Sequence, residues 1–167
     1  MSTDTQAQPA PSVESEWLKV GVVAGAIFGI VSGALFWASG DMPEIGALIG
    51  MPTVLGGWLF HLVMVFVIMI VFAAALSTPS LSQYASELRM LILIGLAYGV
   101  LIWIALDAFV LSYLAVSVGI PGAIFPGFAL ETLVEDLVIG FLVALFYYGT
   151  RRWVVTTQLV GQKSTSP

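Results

Sequence analysis

Residues Val54–Leu76 read VLGGWLFHLVMVFVIMIVFAAAL, a run of 23 positions in which His61 is the only ionisable side chain. At about 1.5 Å per residue, a helix of this length crosses a hydrocarbon core of roughly 30 Å. Working outward, three more runs of the same character appear: Val20–Ala38, Met90–Leu114 and Phe128–Gly149. The four range from 19 to 25 residues. Polar or turn-rich breaks separate them, at Ser39-Gly-Asp-Met-Pro43, at Ser77 to Glu87 with Pro79, and from Gly119 through Pro126-Gly127. Breaks this short make successive helices antiparallel neighbours. The expected fold is all-α, a polytopic membrane four-helix bundle over residues 17–150.

Composition supports that reading. Of 167 residues, 59% are apolar and 9% charged, and the mean hydropathy is +1.04. Soluble domains run at about 45–50% apolar and about 25% charged, so a water-soluble fold and a disordered chain are both excluded. With no cysteine and one histidine, disulfides, thiolate metal sites and a bis-histidine haem are excluded as well. Phosphate-binding GxxxxGK, GxSxG and HExxH motifs are absent, so no catalytic residue and no cofactor is expected. The net charge of −5 argues against nucleic acid and against a polybasic lipid-binding patch. The partner that the composition does name is the lipid bilayer. The acidic bias of the water-facing segments resembles that of haloarchaeal proteins.

Basic residues set the expected orientation, because Lys and Arg near span ends stay on the cytoplasmic side. Lys19 precedes the first run, Arg89 lies between the second and third, and Arg151, Arg152 and Lys163 follow the fourth. Loops 39–53 and 115–127 hold none. Both termini are therefore expected in the cytoplasm of a cell-membrane protein, with residues 1–16 a disordered tail and 151–167 a second tail, loose from Thr156 to Pro167.

Two loop–helix junctions resemble each other. Gly50-Met-Pro, then Gly57-Trp58 and His61, parallels Gly119-Ile-Pro, then Gly127-Phe128 and Glu131. A second register aligns His61-Leu-Val-x-x-Phe66 with Asp136-Leu-Val-x-x-Phe141, and the sequence leaves both open. Gly21 and Gly25 recur as Gly95 and Gly99, 74 positions on. The chain reads as two tandem helical hairpins, a parallel repeat about the membrane normal. The G-W-x-x-H pattern of Gly57, Trp58 and His61, with glycine-rich first and third helices and an acidic fourth, is similar to the YagU-like family of small inner-membrane proteins and to related four-helix proteins of halophilic archaea. The resemblance implies a four-helix membrane fold and carries no biochemical activity with it.

Gly21, Gly25, Gly29 and Gly33 recur at every fourth position of the first helix. In lipid such a stripe lets two backbones approach closely. Two uses are open: packing against Gly95 and Gly99 of the third helix, or a homo-oligomer through the first helix.

Five ionisable residues fall inside the runs: His61, Asp107, Glu131, Glu135 and Asp136. Counted along their helices, all lie about 5 to 12 Å below the outer surface. Each costs about 2.5–3.5 kcal/mol on insertion scales when charged, so they are expected to face one another or water. His61 is the natural partner of Glu131, Glu135 or Asp107. Three functions compete. The first is an accessory or packing subunit, non-enzymatic, in which these groups are polar glue and the protein partner is unnamed. The second is a minimal proton, cation or small-solute transporter. The third is a metal-dependent membrane enzyme using His61, Glu131, Glu135 and Asp136.

Overall fold

The structure, a computed structural model, describes residues 13–164, and the side chains of 16–157. The segments 1–12 and 165–167, which hold most of the expected N-terminal tail, lie outside the described residues. The described chain is helical, in the order α1 Val13–Ser39, α2 Met42–Ala47, α3 Val54–Leu76, α4 Pro79–Ser82, α5 Leu88–Ile102, a π-helical segment Trp103–Leu111, α6 Ser112–Ser117 and α7 Leu130–Ser164. Three helical stretches are long and apolar enough to cross a membrane: Glu16–Ser39, Val54–Leu76 and Leu88–Ser117. The fourth long helix, α7, is less apolar, because its first two turns hold Glu131, Glu135 and Asp136 and its far end is polar.

Local chemistry explains the boundaries. α1 stops at Gly40, whose φ of +90° suits a residue without Cβ. There the Gly40 N–H bonds Trp37 O at 3.2 Å and the Asp41 N–H bonds Phe36 O at 3.0 Å, closing the last carbonyls in a Schellman turn. α3 begins at Thr53, whose hydroxyl accepts the Gly56 N–H at 3.0 Å. It ends before Thr78-Pro79, since proline cannot continue it.

The helices pair as α1 with α3 and α5 with α7. The glycine ladder of α1 faces α3: Gly21 lies against Ala73, Gly25 against Phe66 and Met69, Gly29 against Leu62 and Val65, and Gly33 against Trp58 and His61. The expected pairing of this ladder with Gly95 and Gly99 is corrected, because those two glycines pack on α7. A Cβ on Gly95 would strike Gly140 O, and one on Gly99 would strike Asp136 O. The glycines of α1 are therefore spent on α3.

Most of the buried core lies in one half of the bundle, with Ile102, Met42 and Ala108 buried outside it. It gathers Val20, Ala24 and Phe28 of α1, Val65 to Leu76 of α3, Leu91 of α5, and Val143, Ala144 and Tyr147 of α7. We call that end the base and the opposite one, with α2 and segment 118–129, the loop end. Aromatic contacts lock the base: Phe28 to Phe146 at 5.0 Å, Phe72 to Tyr98 at 5.2 Å and Phe72 to Tyr147 at 5.7 Å between ring centroids. The Tyr98 hydroxyl donates across to Ile68 O at 2.8 Å, tying the two helix pairs together.

Two features depart from the sequence reading. Segment 118–129 folds back along the outside of the π-helical segment instead of bridging two helix tips. The Gly127 N–H donates to Ala108 O at 3.0 Å and Trp103 Nε1 donates to Ala129 O at 2.9 Å, so α7 starts level with Trp103. At its other end α7 continues as helix to Ser164, where a loose tail is expected from Thr156. No proline interrupts this stretch, and Thr156 and Thr157 turn their hydroxyls back onto Arg152 O and Trp153 O at 2.8 Å each.

Candidate functional site

In the half of the bundle with less core, the two helix pairs diverge around a cavity of about 510 Å³. Its floor is Phe28, Ile68 and Leu142, the upper edge of the base, and its lining extends to Ser39, Asp41, Ile45 and Leu48 at the loop end. Most of the wall between is apolar. The exceptions at depth are Ser32, His61, Asp107 and Asp136, contributed by α1, α3, the π-helical segment and α7.

His61 is 8% exposed. Its Nε2 lies 3.0 Å from Ser32 Oγ, and Ser32 Oγ lies 2.6 Å from Phe28 O. A hydroxyl has one proton to give, and Phe28 O takes it, so the imidazole is the donor in the contact with Ser32. Phe36 and Trp58 stand edge-on to the ring, with centroids at 5.4 and 6.4 Å. Gly33 makes room for this group, since a Cβ there would collide with the Trp58 indole and reach 3.1 Å from His61 Cδ2. The G-W-x-x-H residues thus have physical work: Gly57 admits the Met42 backbone of α2, Trp58 packs on Gly33, and His61 meets Ser32.

Asp107 sits inside the π-helical segment, half-buried, against the side chains of Thr132 and Asp136. A π turn inserts extra backbone into a helix and re-aims the side chains around it. Asp136 is 3% exposed, and its Oδ2 is buried with no hydrogen-bond partner. The contact of Gly99 with Asp136 O fixes its height on α5. At the loop end the Ser39 hydroxyl donates to Asp41 Oδ2.

Of the five residues read from the sequence, the structure therefore brings His61, Asp107 and Asp136 to one cavity. Glu131 and Glu135 do not line it and are exposed on α7. The proposed pairing of His61 with Glu131 or Glu135 is corrected, as is the set of His61, Glu131, Glu135 and Asp136 as metal ligands. A turn of about 100° per residue rotates Asp136 away from Glu135, so that Asp136 is buried where Glu135 is exposed. Among the described residues, no group of three or more His, Asp or Glu is placed to hold a metal ion. Sequence reasoning missed Ser32 as the partner of His61 and Asp41 as a rim carboxylate. Ser32 did carry a signal, a hydroxyl beside Gly29 and Gly33 on a face of otherwise small residues.

No protein-family model matches the chain, and no curated protein or solved structure matches it either.

Proposed function

We propose that this is a multi-pass membrane protein of four spans that binds a small solute in the loop-end cavity and passes it across the bilayer. The observation that carries the reading is the convergence of His61, Asp107 and Asp136, from three separate elements, on one largely apolar cavity. Polar groups used only as glue are satisfied by their neighbours, whereas Asp136 Oδ2 is left without a partner. Cavities of about 300–1,000 Å³ with apolar walls and a few convergent polar groups are the usual form of small-ligand sites.

In this reading α7 is the fourth span, its acids tolerated because Asp136 faces the cavity and the other two lie near the loop end. The base, with Arg89, Arg151 and Arg152, faces the cytoplasm. The two helix pairs are tandem copies of one hairpin. The register that aligns His61 with Asp136 is supported by packing: Gly33 lies on His61, and Asp107, 74 positions after Gly33, lies on Asp136. The likeness to YagU-like proteins is consistent with this arrangement. The reading is non-enzymatic, because Ser32 gives its proton to Phe28 O and is not activated by His61 as a nucleophile.

The test uses the absence of native cysteine. Leu142→Cys, on the cavity floor, is placed in sealed vesicles and exposed to a membrane-impermeant maleimide from either side. Labelling from both sides is expected of a site with alternating access. Labelling from the loop side alone overturns transport and leaves the accessory-subunit reading. A reporter fused after Pro167 checks the orientation; activity confined to the outside overturns it.

A further inference from the structure

We infer that the solute is an organic cation with an apolar body, held by Asp136 and Asp107. The inference rests on the cavity being a solute site and goes on to assign its chemistry. Three features of the cavity lead to it. The walls around the acids are hydrocarbon and aromatic, with Phe28, Phe36, Leu106 and Ile139 among them, which suits a lipophilic body and excludes a strongly hydrated metal ion or sugar. Carboxylates outnumber basic groups: Asp136, Asp107 and the rim residue Asp41 line the cavity, and His61 is its one basic side chain. His61 already donates to Ser32 and is not spent on an acid. Finally, Asp136 Oδ2 is a buried acceptor without a donor. Leaving such a group unpaired is costly, and an ammonium or phosphonium-type charge at that point relieves the cost.

Asp107 and Asp136 stand side by side in the cavity wall, so a cation there meets two carboxylates at once. Asp107 from the π-helical segment and Glu135 on its own helix stand nearest Asp136, His61 and Asp41 line the same cavity, and α5 presents Gly95 and Gly99. All the ionisable groups but His61 are acids, which favours a cation over an anion.

Tetraphenylphosphonium and tetraphenylborate, ions of the same shape and opposite charge, provide the test on the full-length protein in lipid nanodiscs. Saturable binding of the phosphonium and no saturable binding of the borate are expected. Asp136→Asn should reduce the affinity about ten- to a hundredfold. Equal binding of both ions, or of the neutral triphenylphosphine oxide, overturns the cation assignment and leaves the solute site standing. Binding of none of the three overturns both. Phosphonium binding that Asp136→Asn and Asp107→Asn leave unchanged also overturns the assignment, because the ion then sits elsewhere. The comparison between ions needs no variant, so a folding failure of Asp136→Asn does not protect the proposal.

Discussion

At Gly99 the missing side chain is replaced by backbone. A Cβ would land on Asp136 O, and neither helix backbone can give way without separating α5 from α7. Gly25 looks identical in sequence, but its nearest neighbour would be Phe66 Cδ1 at 3.2 Å, the edge of a ring that can swing. Gly99→Ala should therefore cost about 1–3 kcal/mol through overpacking. Gly25→Ala should cost less than about 1 kcal/mol, since alanine recovers roughly that much helix propensity. Melting of the two variants in one detergent checks the order; an equal shift would mean that the α5–α7 approach is not what those glycines serve. Ser32 gives a second residue-scale prediction. Ser32→Ala removes the hydroxyl that contacts His61 Nε2, a hydrogen bond worth about 0.5–1.5 kcal/mol. Ser32→Thr, which keeps the hydroxyl, should recover most of that loss in the same melting assay.

The π-helical segment decides where Asp107 points. Gly95 and Gly99 seat α5 on α7 below it, and the bond from Gly127 N–H to Ala108 O holds it above, so its extra backbone is trapped between two fixed points. Deleting Ile104 should let the segment relax to α-helix and turn Asp107 away from Asp136. Helix content by circular dichroism should then hold while phosphonium affinity falls about tenfold or more; unchanged affinity would show that the π turn does not aim Asp107. This is also where sequence reading ran out. Apolar length set α3 at Val54–Leu76 with no error, because hydrocarbon thickness acts on composition alone. Depth counting put His61, Asp107 and Asp136 in one layer but put Glu131 and Glu135 there too. Layer is a property of position along a helix, whereas facing depends on rotation, and rotation was set by a π turn and a refolded segment 118–129 that leave no periodic trace. Ser32 was missed for a related reason: hidden within a glycine ladder, its hydroxyl has meaning only once α3 is placed on α1.

For the molecule as a whole, the uneven core is the main consequence of the sequence. Bulky aromatics crowd the base, while the loop-end half meets around Ser32, His61 and the acids, so the two helix pairs close at one end and part at the other. Lipid supplies no hydrophobic force to hold the base shut, so packing and the few interhelical hydrogen bonds must do it. The Tyr98 hydroxyl on Ile68 O is the bond that joins the two pairs there, at 2.8 Å. Tyr98→Phe keeps the ring against Phe72 and removes only that bond, worth about 0.5–1.5 kcal/mol. If the base is a gate, a change of that size raises the base-open population roughly two- to tenfold. On the Leu142→Cys background, the rate of maleimide labelling from the base side should rise by the same factor, and labelling from the loop side should fall only slightly, because the loop-open state stays the major one. A variant that melts earlier yet labels from the base no faster would show the bond to be structural. In that event the base is a fixed floor, and the cavity binds its ligand without passing it on.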